Sequence, residues 1–241
     1  MSALNGVKGD ALDLIIHSPG GTAEATEQIV NYLHRKFSEI RVIVPHSAMS
    51  AATMLACAAS RIVMGKHSAL GPIDPQIILP FSGGVRAVPA QSILDEFEEA
   101  QTTINNPANN PLMWVKRIGD YPPGILADCR KVSELSRTLV RGWLEDRMFA
   151  GDPEGGGKAK DLADWLGNNK NFLSHGRAIG IELARKQGFL VDALEDNQKL
   201  QEAVLTTFHA TAATFRTTNC AKLVENHFGR GLYTRIHVQR A

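Results

Sequence analysis

The chain has 241 residues, 44% of them hydrophobic, a length that suits one α/β domain with a large buried core rather than two domains. Lys and Arg number 26 against 25 Asp and Glu, a formal net charge of +1. This near-neutral balance excludes strong electrostatic attraction to nucleic acid or to an anionic membrane, so we expect no nucleic-acid partner. No apolar stretch is long enough to cross a bilayer and no export signal is recognisable, which predicts a cytoplasmic protein.

The first predicted elements alternate between strands and helices. In chain order they are a fully buried strand (11–16), a helix (23–37), a strand (41–44), a helix (50–59) and a strand (61–65). This order predicts right-handed βαβ crossovers and a mainly parallel sheet. Because a buried-looking strand begins so close to Met1, we expect a natural upstream portion to be missing, and we expect membrane contact only through an anchor in that portion.

The remainder of the chain is predicted to be mainly helical. Residues 67–90 are rich in Gly and Pro and are predicted to form a loop. The later predicted elements are helices (90–105, 125–149, 177–188 and 196–218), a small strand (189–191) and an edge strand (231–238). We therefore divide the chain into a hydrolase domain, 1–192, and a C-terminal helix and strand, 193–241, that serve packing or oligomerisation.

Two features that resemble cofactor or metal sites are interpreted as structural. GDPEGGGK, at 151–158, does not follow a strand and lacks the Ser or Thr of a phosphate loop, so we predict a helix-to-helix connector. The cysteines stand far apart, without metal-ligand spacing, and are predicted to be reduced structural thiols (Cys57, Cys129 and Cys220). No cofactor or metal is expected.

Two clusters of small residues follow predicted strands, on the side of a parallel sheet where ligand sites gather. HSPGG, at 17–21, can turn backbone N–H groups into a cleft to hold an oxyanion, or can be a simple turn. In AMSAAT, at 48–53, Ser50 lies between a strand and a helix, where its Oγ can be exposed beside the N–H of Ala51. Taken alone, Ser50 fits an ordinary helix N-cap. The pairing of both clusters favours a nucleophile.

HSPGG, AMSAATMLACAASRIVM and GPIDPQ together resemble the serine dehydrogenase proteinase family, relatives of Clp protease and of signal peptide peptidase A. The resemblance is densest over 11–76 and continues more loosely through 171–192. It implies a Clp protease/crotonase-like fold, peptidase activity on a peptide or protein substrate, Ser50 as nucleophile, and Gly20 and Gly21 as oxyanion-hole donors. Such folds commonly form trimers or stacked rings, so a homo-oligomer is expected, with the apolar face of 200–215 available for burial.

The general base is where this sequence departs from the Clp pattern. SALGPIDPQ stands where Clp-type peptidases have a histidine, and RAIGIELARKQGF, which resembles the region of the acidic triad member, follows His175. We expect exchanged roles, with Asp74 and His175 facing each other near Ser50. The alternative is a lysine base as in signal peptide peptidases, for which Lys116 is the best candidate. Other histidines near the motifs are expected only to orient loops or to lie in turns (His17, His46 and His67).

Three functions remain open at this point. The leading hypothesis is a serine hydrolase that acts on peptides and needs no cofactor. A crotonase-like enzyme on an acyl thioester would use the same oxyanion site to stabilise an enolate. A non-catalytic oligomeric scaffold remains possible because the Clp-type histidine is absent.

Overall fold

The computed structural model describes residues 2–81, 83–106 and 110–236. Its strands are β1 (Ala11–Ile15), β2 (Glu39–Val44), β3 (Ser47–Ala48), β4 (Arg61–Met64), β5 (Ala69–Leu70), β6 (Gln76–Phe81), β7 (Gly84–Pro89), β8 (Val191–Ala193), β9 (Cys220–Glu225) and β10 (Gly231–Arg235). Its helices are α1 (Ala23–Lys36), α2 (Ala51–Cys57), α3 (Ala90–Ile104), α4 (Leu112–Gly119), α5 (Ile125–Trp143), α6 (Gly155–Leu166), α7 (Asn169–Phe172), α8 (Ile181–Lys186) and α9 (Gln198–Thr217). Within these ranges no helix is long and apolar enough to cross a membrane.

The main sheet has four strands in the order β1-β2-β4-β8. Each neighbouring pair is parallel, with Leu12 opposite Ile40 at one edge and Ile62 opposite Val191 at the other. Helix α1 connects β1 to β2, and α2 lies between β2 and β4. The predicted α/β class and the mainly parallel sheet are therefore confirmed.

The two central strands send alternate side chains into two different cores. On one face, Val42 and Ile62 pack in the larger core with residues of α1, α2, α5 and α6. On the opposite face, Ile43 and Val63 pack against Val204 of α9. Because successive strand residues point to opposite faces, a continuous run of apolar residues requires cover on both sides.

Strand β1 is only partly buried, so the prediction of a fully buried strand was wrong. Leu14 packs against the larger core, whereas Ile15 is 39% exposed. Asp13 points to the open face and accepts two hydrogen bonds from Arg41, of 2.8 and 2.6 Å. Among the described strands β1 has a partner on one side only, so its apolar residues lack cover on the outer face.

A row of short pairings runs alongside the main sheet. Ser18 bridges Ala48 of β3, β3 pairs in parallel with β5, and Leu70 of β5 bridges Ile179. These segments follow β1, β2 and β4 and precede β8 in the chain, so the row repeats the strand order of the main sheet. We call it the short-strand row. It brings the loops at one end of the sheet next to one another.

Residues 76–89 form the antiparallel hairpin β6–β7, so the prediction of a loop was wrong here. The inward side chains of the hairpin, Ile77, Leu79 and Val88, pack with α3 and the start of α5. The alternation of inward and outward side chains was not recognised in the sequence because Pro80 and the neighbouring glycines interrupt the apolar pattern. A proline is tolerated because both strands of an isolated hairpin are edge strands.

Smaller differences concern the ends of elements. Helix α4 lies between the predicted helices 90–105 and 125–149, where no helix was predicted. Strand β8 begins at Val191 rather than at residue 189. Only the first half of 151–158 is a connector, because α6 begins at Gly155. The predicted tail helix is confirmed as α9, and the C-terminal strand pairs with β9. Residues 237 and 238 of that predicted strand lie outside the described residues.

Candidate active site

Ser50 lies at the turn between β3 and α2 and has an unusual backbone conformation. Its φ is 53° and its ψ is −119°, and at the N-cap position of α2 its side chain makes no capping hydrogen bond. A non-glycine residue at positive φ costs about 1 to 3 kcal/mol, and such residues cluster at functional sites. The ordinary N-cap interpretation of Ser50 therefore does not describe this structure.

Hydrogen bonds from two directions hold this turn in place. The N–H of Met49 donates to the carbonyl of Ser18 over 3.0 Å, which ties the turn to the HSPGG loop. The buried hydroxyl of Thr53 donates to the carbonyl of Ala48 over 2.7 Å and accepts from the N–H of Gly71 over 2.9 Å. The serine turn is thereby connected to both neighbouring loops of the short-strand row.

Gly20 is the residue of HSPGG that lies directly against the serine turn. Its φ is +113°, and a Cβ there would stand 2.8 Å from the Met49 carbonyl oxygen and 2.9 Å from the Ser50 Cβ. Only glycine fits both the backbone angle and this approach. The Gly20 N–H donates to Ser18 Oγ over 3.1 Å. Its prediction as an oxyanion donor is therefore corrected: Gly20 permits close contact, and its N–H is already used.

The other two predicted oxyanion donors, Gly21 and Ala51, differ from Gly20. Within the part of the chain that the structure describes, neither backbone N–H has a hydrogen-bond acceptor. A Cβ on Gly21 would meet nothing within 4 Å, and its φ is not in the left-handed range, so the residue borders open space. These two N–H groups are thus available for a ligand oxygen.

Asp74 and His175 are in direct contact although 101 positions separate them in the sequence. His175 Nδ1 lies 2.8 Å from Asp74 Oδ1, and the Asp74 side chain is 2% exposed. A carboxylate can only accept this hydrogen bond, so Nδ1 carries the proton and Nε2 is left as an acceptor. The second carboxylate oxygen accepts from Gln76 and Asn169, two residues that sequence analysis missed.

The short-strand row orders the segments that carry Ser50, Asp74 and His175. Ser50 follows β3 by two residues, Asp74 follows β5 by four, and His175 precedes Ile179 by four. Because β5 pairs with β3 on one side and with Ile179 on the other, the segment of Asp74 lies between the segments of Ser50 and His175. Neighbouring segments lie about 4.8 Å apart, so Asp74 leaves the row one step from each of the other two.

Lys116 is not part of this cluster. It lies on α4, is exposed, and has no ion pair or hydrogen bond with the residues the structure describes. A lysine base needs a desolvated amine, and an exposed ammonium group is fully hydrated. The structure therefore does not support Lys116 as the general base.

The three other histidines near the motifs contact loop backbone or a neighbouring ring. His17 Nδ1 donates to the Ser47 carbonyl over 3.2 Å, and the ring of His46 stacks on Phe208 of α9. His67 Nε2 donates to the Pro45 carbonyl over 2.8 Å. The ring of Phe208 also contacts the ring of His17, so α9 touches the HSPGG loop and the strand end before Ser50.

The buried cysteines do not qualify as nucleophiles. Cys57 on α2 and Cys129 on α5 are buried, and burial raises the pKa of both thiols. A nucleophilic cysteine requires a lowered pKa, so the prediction of structural thiols agrees with this environment.

The fold is an α/β fold with a parallel sheet, and Ser50 lies at a turn between a strand and a helix. Residues 4–112 match the family model described as ClpP-like SDH-type serine proteinase. This confirms the family recognised from the sequence over those residues, which include Ser50 and Asp74 but not His175.

Two uncharacterized proteins of Methanocaldococcus jannaschii are similar to the chain. MJ0137 is 36% identical over 144 residues, which cover 58% of this chain and 49% of the relative. MJ1495 is 44% identical over 143 residues, which cover 56% of this chain and 46% of the relative. The chain thus spans about half the length of these relatives. No solved structure matches it significantly.

Proposed function

We propose that the protein is a serine hydrolase that cleaves peptides, with Ser50 as nucleophile, His175 as general base and Asp74 as the residue that orients the base. The observation that carries this proposal is the 2.8 Å hydrogen bond between His175 and the buried Asp74, on the two segments that follow β3 in the short-strand row. A serine hydroxyl needs such a partner to take its proton near neutral pH.

In the proposed reaction, His175 Nε2 accepts the hydroxyl proton while Ser50 Oγ bonds to the substrate carbonyl carbon. The N–H groups of Gly21 and Ala51 donate to the resulting oxyanion. The imidazolium then gives its proton to the leaving amine as the C–N bond breaks. A water molecule, deprotonated by the same imidazole, releases the acyl group from Ser50 and regenerates the enzyme.

This arrangement favours a hydrolase over both alternatives. The scaffold hypothesis depended on the lack of a base, and the Asp74–His175 pair supplies one. Enolate chemistry on a thioester does not require a serine held at positive φ, and that conformation is the costly feature of this turn. We further propose a peptide or protein substrate and a homo-oligomeric state, in line with the family match to Clp-like proteinases.

The test is active-site labelling with a fluorophosphonate probe, together with hydrolysis of a peptide library. We expect wild-type protein to be labelled at Ser50 and Ser50→Ala to lose hydrolysis by about a thousandfold or more. Ser38→Ala, which changes an exposed serine whose hydroxyl donates to the Asp10 carbonyl, is the matched control and should remain fully labelled. Wild-type protein that is never labelled, or labelling that persists in Ser50→Ala, contradicts the proposal.

A further inference from the structure

The two oxygens of the Asp74 carboxylate accept different numbers of hydrogen bonds. Oδ1 accepts one hydrogen bond from His175, over 2.8 Å. Oδ2 accepts from the Gln76 side-chain nitrogen over 2.9 Å and from the Asn169 side-chain nitrogen over 3.3 Å. The carboxylate is 2% exposed, so these protein donors replace the water molecules that would otherwise solvate its charge.

We propose that Gln76 and Asn169 are positioning residues that hold Asp74 so that a single oxygen, Oδ1, faces the imidazole of His175. The proposal rests on the proposed function, because it assigns them a task in orienting the base. The terminal torsion of an aspartate side chain is broad, so the rotation of the carboxylate must be set by its partners. Two donors on Oδ2 set that rotation.

The origin of these donors makes the arrangement rigid. Gln76 is the first residue of β6, and its side-chain nitrogen also lies 3.4 Å from the Asp74 carbonyl oxygen, so the amide bridges the main chain and the carboxylate. Asn169 is the first residue of α7 and lies 95 positions after Asp74 in the chain. The carboxylate is therefore held from two separate elements.

The neutrality of both donors matters for the base. Among the described residues, His175 is the one ionisable group in contact with the Asp74 carboxylate. An Arg or Lys in place of the amides would neutralise the carboxylate and weaken its attraction for an imidazolium. Two amides fix the geometry and leave the negative charge of Asp74 available to the protonated histidine.

The experiment follows the Nδ1 proton of His175 by NMR in the full chain, with its signal among the eight histidines assigned through His175→Asn. Gln76→Met removes one donor with little change in shape. The carboxylate can then rotate, so the hydrogen bond from Nδ1 to Oδ1 should weaken; the Nδ1 proton signal should move upfield, and labelling of Ser50 by the fluorophosphonate should slow by about tenfold. Asn169→Leu should have a smaller effect, because that contact is longer.

Gln91→Met is the matched control. Gln91 donates to the carboxylate of Asp95 over 2.8 Å on α3, so the same chemical change is made at another Gln–Asp pair. It should leave the Nδ1 proton signal of His175 and the labelling rate of Ser50 unchanged. Thermal unfolding of each variant identifies any that fail to fold, and the two donors provide independent variants.

The outcomes separate this inference from the proposed function. An Nδ1 proton signal that is unchanged in both folded variants overturns the positioning role, even if Ser50 is labelled by the fluorophosphonate. If the signal moves as expected but wild-type Ser50 is never labelled, the hydrolase proposal fails and so does the catalytic task assigned to these residues. A moved signal together with slower labelling in both variants supports the inference.

Discussion

At the residue scale, the conformation of Ser50 depends on a glycine thirty positions earlier. The positive φ of Ser50 directs its side chain away from the capping position, and the turn is packed against Gly20. The neighbouring glycine, Gly21, has open space in front of it. Two adjacent glycines of the same motif therefore have different physical reasons for being there.

This difference gives a prediction with an internal control. Gly20→Ala places a methyl group 2.8 Å from the Met49 carbonyl oxygen at a φ of +113°, so we expect a loss of about 1 to 3 kcal/mol in unfolding free energy and slow labelling of Ser50. Gly21→Ala should fold normally, because its Cβ meets nothing within 4 Å. Chemical denaturation and labelling kinetics measure both effects. Equal stability of the two variants would show that the contact of Gly20 with the serine turn is unimportant.

At the element scale, the short helix α2 is held at its far end by α1. His34 of α1 donates from Nε2 to the carbonyl of Ala58, the C-cap residue of α2, over 2.8 Å. Burial lowers the pKa of His34, and nearby Arg147 also lowers it, against the opposing effect of the Ala58 hydrogen bond. The neutral ring is therefore the form that fits the folded state.

The sign of the resulting pH dependence follows from linkage. As pH falls below about 6.5, the unfolded chain takes up a proton on His34 that the folded chain resists, so the unfolding free energy decreases. At neutral pH and above, the His34 imidazole is uncharged in both the folded and the unfolded chain, so this loss of unfolding free energy is absent. His34→Gln keeps a donor for Ala58 but cannot titrate, so it should lose less stability between pH 7 and pH 5 than wild type.

Urea denaturation at the two pH values measures this difference. His227→Gln changes an exposed histidine and is the control, since it should follow the wild-type pH dependence. If His34→Gln and wild type lose the same free energy on acidification, His34 is not the residue responsible.

At the scale of the whole molecule, the packing of α9 against the main sheet changes which surface we expect to form the oligomer interface. The apolar residues of 200–215 were expected to be free for an oligomer interface, but Val204 is 1% exposed against the main sheet of its own chain. The outward face of the β6–β7 hairpin is open instead, with Ile78 62% and Val85 70% exposed. Contiguous exposed apolar surface of this kind is typical of protein interfaces.

We therefore expect the proposed homo-oligomer to use the hairpin face rather than the tail helix. Light scattering across micromolar concentrations should show a mass above that of one chain, and Val85→Lys should shift the equilibrium toward monomer by about tenfold or more. Lys222→Ala, on the solvent side of the separate β9–β10 hairpin, should leave the mass unchanged. A wild-type protein that remains monomeric throughout contradicts the expectation.

The sequence by itself determined the local features of this protein. The alternation of apolar strands with helices predicted the parallel sheet, because strands joined by helical crossovers run in the same direction. The HSPGG and AMSAAT motifs located Gly20 and Ser50 at strand ends. It also paired Asp74 with His175, through the resemblance of the flanking segments. These inferences succeed because periodicity, turn chemistry and motif spacing are properties of neighbouring residues.

Only the tertiary structure decided the features that depend on what covers each segment. It showed that β1 is an open edge, that 76–89 is a hairpin because α3 and α5 cover one face, and that Lys116 is left in solvent. Asn169 reaches Asp74 from an element 95 positions along the chain from that carboxylate, and no local pattern marks this contact. Gln76 ends the GPIDPQ motif, but only the structure shows that its side chain donates to Asp74. Burial and hydrogen-bond partners at such separations are set by the packing of layers, which a single sequence does not reveal.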